Sequence, residues 1–85
     1  MVIQEEIRLP EEFGLQGRLA SNFVQKASGY RSDIFLEMDE KIFNGKSIMS
    51  VLTMGALPSS LIILRIDGTD EKEALQGLTH LLMSS

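Results

Sequence analysis

The hydrophobic period changes several times along this chain, and those changes limit the folds open to it. In residues 2–9, VIQEEIRL, Ile3, Ile7 and Leu9 fall on one side of an extended chain and Gln4, Glu6 and Arg8 on the other. SDIFLEM (32–38) and LIILRID (61–67) alternate in the same way, with Ile34, Leu36 and Met38, then Ile62, Leu64 and Ile66, on one side. A period of two marks half-buried strands. Between the first two strands the period lengthens. Leu19, Ala20, Phe23, Val24 and Ala27 share one helical face while Asn22, Gln25 and Lys26 face away, which predicts a helix over 17–28.

Local punctuation closes these segments. Pro10 ends the first strand because it offers no ladder donor, and Gly14 is expected to take a left-handed turn in the following loop. Gly29 stops the first helix. Asp39 and Glu40 turn the chain, and KIFN returns as a short third strand. SIMSVLTMG (47–55) reads as a short helix with Ser47 as N-cap and Gly55 at its end. Asp70 precedes a last helix, with Glu73 three positions on as in a capping box; its apolar stripe is Ala74, Leu78, Leu81 and Leu82.

The order is β-α-β-β-α-β-α. A right-handed crossover from the first strand to the second leaves a gap between them, which the fourth strand fills antiparallel to both. This predicts an α+β, open-faced β-sandwich: a four-stranded antiparallel sheet with three helices on one face, forming a single domain over 1–85. The outer strand face carries Phe35, Phe43, Leu61 and Ile63, so a homodimer through that face or through sheet edges is a further expectation.

Composition excludes several functions. Cysteine is absent, so disulfides and thiolate metal sites are excluded. The net charge is −4 and the basic residues are scattered singly, which argues against direct nucleic-acid binding. No segment reaches transmembrane length, and the acidic N-terminus lacks the form of a signal peptide. The expectation is a soluble, cytoplasmic protein without membrane association. No spacing of His, Asp or Glu suggests a metal, and nothing calls for a cofactor.

The stretch FGLQGRLASNF (13–23) is the candidate site. Arg18 lies in the first turn of a helix, where N–H groups and the helix dipole favour an anion; a lone solvated arginine is the simpler reading. Gln16 beside it has neither a nucleophilic nitrogen nor a titrating group. His80, the only histidine, lies on the last helix opposite its apolar side and assembles no nucleophilic arrangement. The second helix carries Ile48, Met49, Val51, Leu52 and Met54, more apolar residues than one stripe can bury. Either all five pack internally, or Val51 and Met54 do so while Ile48, Met49 and Leu52 form a partner surface.

GLQGRLA, SDIFLEMDEKIFNGKSIMSVLTMG and GTDEKEAL together resemble the HPr family, the histidine phosphocarriers of the bacterial sugar phosphotransferase system. The likeness runs over nearly the whole chain and implies the same open-faced sandwich. NGKSIM (44–49) is similar to the family's regulatory serine motif, in which HPr kinase/phosphorylase modifies the serine corresponding to Ser47. The family's active loop reads G-L-H-A-R-P-A. Here it is Gly14-Leu15-Gln16-Gly17-Arg18-Leu19-Ala20. Gln16 stands at the phosphorylated histidine, and Arg18 keeps the place of the arginine that supports the phosphate.

Relay needs an imidazole nucleophile, so the resemblance implies a non-enzymatic protein that has left the relay. A glutamine there with the serine motif kept is similar to the catabolite-repression (Crh-type) branch of the family in bacilli. That branch implies a corepressor partnership, through phosphoserine, with catabolite control protein A, a LacI-type transcription regulator. Leu15, Gln16, Arg18, Ile48, Met49 and Leu52 are then the expected partner-binding residues. A scaffold or decoy that works without phosphorylation is the alternative. Gly17, Leu19, Glu40, Leu57 and Pro58 depart from the family's usual residues.

Overall fold

A computed structural model describes residues 2–84. The elements are β1 (Val2–Arg8), α1 (Gly17–Ser28), β2 (Asp33–Met38), β3 (Lys41–Asn44), α2 (Ile48–Met54), β4 (Leu61–Asp67) and α3 (Glu71–Ser84). The sheet order is β1-β4-β2-β3, and every pairing is antiparallel. β4 therefore fills the gap left by the β1-α1-β2 crossover, as the pattern predicts. The helices cover one face, and the fold is an α+β open-faced sandwich.

The buried sheet face presents Ile7, Ile34, Leu36, Ile62, Leu64 and Ile66. Against it pack Leu19, Phe23 and Ala27 of α1, Val51 and Met54 of α2, and Ala74, Leu78 and Leu82 of α3. Burial of this apolar surface drives the association of sheet and helices.

Phe43 departs from expectation. Its Cα partner is Leu36, an inward residue, and Phe43 packs against the core. The outer residue of β3 is Ile42, opposite Glu37. In a strand as short as KIFN two adjacent apolar residues leave the parity undetermined; the tight turn before it sets the register. The outer face thus carries Phe35, Ile42, Leu61 and Ile63, with a polar link across three strands. Arg65 Nε donates to Gln4 Oε1 at 3.0 Å, and its Nη2 donates to Glu37 Oε1 at 2.8 Å.

The β2–β3 loop has only two residues, Asp39 (φ 53°) and Glu40 (φ 65°). Two successive positive φ values suit the type I′ loop that matches strand twist. At the start of α3, Asp70 differs from the expected capping box. Its carboxylate accepts from Arg31 N at 2.9 Å, Ser32 N at 2.9 Å and Ser32 Oγ at 2.5 Å. The reach-back contact lies two residues earlier: Glu71 Oε1 accepts from Gly68 N at 3.1 Å. Asp70 thereby ties the α1–β2 connection to the start of α3.

Candidate functional site

The loop before α1 rests on the C-terminal end of α2. Leu15 N donates to Ala56 O at 2.8 Å. Gly14 has no positive φ, contrary to the expected left-handed turn. Its requirement is space, because a Cβ there would overlap Ala56 O and the backbone of Leu57. Leu15 is fully buried, so its side chain belongs to the core. This corrects its assignment as a partner-binding residue.

Gln16 is the N-cap of α1, with extended backbone (φ −139°, ψ 165°) and no side-chain capping bond. Its Nε2 donates instead to Gly55 O at 3.3 Å. The left-handed residue is Gly17 (φ 53°), beside which a Cβ would meet no atom within 4 Å. A side chain there would strain the backbone without a clash. Arg18 is exposed, and its side chain forms no hydrogen bond or ion pair among the described residues. Leu19, third residue of α1, is buried against the core and anchors the first turn by packing. An uncharged amide at the N-cap followed by a free guanidinium can hold an anion but cannot attack phosphorus.

The α2 side is organised by the preceding turn. Gly45 N donates to Ile34 O at 2.8 Å, and a Cβ on Gly45 would come within 2.7 Å of Ile34 Cγ2. Asn44 Oδ1 accepts from Lys46 N at 2.9 Å. Lys46 Nζ turns back to Tyr30 O at 2.8 Å, which fixes that charge beside the helix start. Ser47 is the N-cap, with its Oγ accepting from Ser50 N at 3.3 Å. Gly55 closes the helix in the left-handed conformation (φ 54°, ψ 43°), as the sequence predicts.

The two readings of α2 are separated by exposure. Val51 and Met54 are buried, whereas Ile48 is 38%, Met49 69% and Leu52 46% exposed. Leu57, just beyond the helix and 62% exposed, extends this apolar surface toward Gly14. Ser47 and Gly55 lie about 12 Å apart along the axis. One helix thus has Ser47 at its start, Gln16 tethered at its end and an exposed apolar face between.

His80 is exposed on α3, in a shallow groove lined by Glu5, Leu75, Gln76 and Thr79. That groove includes none of Gln16, Arg18 or Ser47. Among the described residues no group of His, Asp or Glu could hold a metal ion, and no helix is long and apolar enough to cross a membrane. The residues missed from sequence are Gly55 and Ala56, whose carbonyls receive the first loop. Gly55 was legible as a helix end, but no local pattern reveals what docks there.

The sequence model described as PTS HPr component phosphorylation site matches residues 3–84. The HPr-like protein Crh of Bacillus subtilis is 39% identical over 77 residues, covering 91% of each chain. The crystal structure of the phosphocarrier protein HPr from Bacillus anthracis superposes with a TM-score of 0.92 at 35% identity, covering 96% of this chain and 98% of that one. A crystal structure of Bacillus subtilis Crh, described as a swapped dimer, gives a TM-score of 0.75 at 38% identity over 89% of this chain and 83% of that one.

Proposed function

The chain belongs to the HPr family, and from that premise we propose that it is a regulatory member that carries phosphate on Ser47 and takes no part in histidine phosphoryl relay. The observation that supports this most is the side chain at position 16. An amide occupies the N-cap of α1 and is bonded to Gly55 O. It has no lone pair able to form a phosphoramidate and no proton equilibrium to drive transfer.

Ser47 supplies the alternative acceptor. In the proposed reaction the hydroxyl oxygen attacks the γ-phosphorus of ATP, ADP leaves, and the hydroxyl proton passes to a base of HPr kinase/phosphorylase. The product adds about −1.5 to −2 charge beside Ile48, Met49 and Leu52. An anion bordering an apolar strip, with Arg18 beyond the opposite end, offers a partner both packing and charge recognition. The proposed partner is the LacI-type regulator catabolite control protein A, with Gln16, Arg18, Ile48, Met49 and Leu52 at the contact.

The test has two stages. Incubation with the kinase and ATP, followed by mass spectrometry, is expected to add one phosphate to the wild type and none to Ser47→Ala. The phosphorylated protein is then titrated into the regulator. Binding that requires Ser47 phosphate supports the reading; an unmodified wild type or a modified Ser47→Ala contradicts it.

The exposed strip exists without any phosphate, which favours one second reading: a scaffold or decoy that binds phosphotransferase-system proteins. Equal capture of unphosphorylated wild type and Ser47→Ala is its signature. Self-association is proposed by analogy with the Crh structure described as a dimer; light scattering across concentration tests it.

A further inference from the structure

Building on the docking surface proposed for α2, we propose that Met49 is an oxidant-sensitive site whose conversion to the sulfoxide switches that surface off. Met49 is 69% exposed and lies two residues after Ser47, between Ile48 and Leu52 on the solvent side of the helix. A thioether there packs as an apolar, adaptable side chain. Its sulfoxide is polar and demands hydrogen bonds that an apolar contact does not provide.

The chemistry requires a hydroperoxide, and hydrogen peroxide suffices. A sulfur lone pair attacks one peroxide oxygen and the O–O bond breaks. The sulfur is oxidised by two electrons, and the peroxide is reduced to water. Methionine sulfoxide reductases reverse the step, so the change can act as a signal.

The fold supplies its own controls. Met54, five residues on in the same helix, is 5% exposed and shielded by the core. Met83 is 53% exposed on α3, outside the strip. Met38 is half-buried on β2. Peroxide access therefore separates Met49 and Met83 from Met54, and only Met49 belongs to the docking surface. Cysteine is absent, so a thiol cannot obscure the readout.

The experiment treats Ser47-phosphorylated wild type, Met49→Leu and Met83→Leu with hydrogen peroxide. It maps oxidation by peptide mass spectrometry, checks the fold by circular dichroism, and titrates each protein into the regulator. Met49 and Met83 are expected to oxidise before Met54. Oxidised wild type and Met83→Leu should lose about tenfold in affinity, whereas oxidised Met49→Leu should stay within about twofold of its untreated form. A sulfoxide reductase should restore wild-type binding. Unchanged binding after Met49 oxidation overturns the switch alone, as does an equal loss in Met49→Leu. Failure of the untreated phosphoprotein to bind contradicts the functional reading beneath it, and the switch falls with it.

Discussion

Gln16 Nε2 lies 3.3 Å from the carbonyl oxygen of Gly55, so the residue at the family's nucleophile position ties the first loop to the end of α2. The contact is exposed, which limits it to less than about 1 kcal/mol of stability. Gln16→Ala is expected to lower the urea midpoint only slightly and to leave Ser47 phosphorylation intact. A large fall in either would assign Gln16 a larger role than the geometry supports.

Ser47 serves both as helix cap and as proposed phosphoacceptor, and two substitutions separate those roles. Ser47→Ala removes the Oγ that accepts from Ser50 N and should cost about 1 kcal/mol in urea unfolding. Ser47→Asp retains a good capping oxygen and should unfold near the wild-type midpoint, while the kinase modifies neither variant. Equal destabilisation by both would contradict the cap assignment.

Two turns hold residues other than glycine at positive φ. Glu40 has φ 65° and Ser59 has φ 68°. Ser60 N donates to Leu57 O at 3.1 Å, so Ser59 occupies the third position of a proline turn of the type that favours glycine. Glu40→Gly and Ser59→Gly should each raise stability by roughly 0.5–1 kcal/mol, since relief of left-handed strain exceeds the added chain entropy. Gly14→Ala should do the opposite and cost roughly 1–3 kcal/mol or more, because its Cβ would overlap backbone. Thermal unfolding of the three variants measures the contrast.

Asp70 sets an acid limit on the fold. Hydrogen bonds from the Ser32 hydroxyl and the Arg31 and Ser32 amides hold its pKa at about 2, below the ordinary 3.8. The folded state therefore binds this proton less readily than the unfolded chain. The resulting stability is present above the ordinary value and is lost as pH falls through the folded one. Urea midpoints measured from pH 4 down to pH 2 should decline, and Asp70→Asn should lack that part of the slope. An identical slope in the variant would rule out Asp70 as its source.

How far the sequence was legible follows from where each constraint lies. The strands and α1 were readable because their apolar residues repeat over one or more full periods, and the sheet order followed from chirality and gap filling. The division of α2 into buried Val51 and Met54 and exposed Ile48, Met49 and Leu52 was one of two alternatives read from its excess of apolar residues. Phe43 faces inward against its sequence pattern because a four-residue strand does not fix its own parity. Leu15 and Gly14 differ from the sequence pattern for another reason. Their environment is the backbone of Gly55–Leu57, distant in sequence, and a loop has no period from which to infer it. Asp70 has the sequence position of a local cap, yet its carboxylate accepts from Arg31 and Ser32, just before β2 and distant in sequence.

The proposed function places the phosphate of this chain on Ser47 at the start of α2 and none in the first loop. Phosphorus NMR distinguishes the two positions. One sample receives phosphoenolpyruvate and the first enzyme of the phosphotransferase system; the other receives ATP and HPr kinase/phosphorylase. After removal of the enzymes, this chain is expected to carry no phosphorus signal from the first sample and one acid-stable phosphoserine signal from the second, absent in Ser47→Ala. An acid-labile signal on this chain from the first sample, or a kinase product that persists in Ser47→Ala, would overturn that assignment.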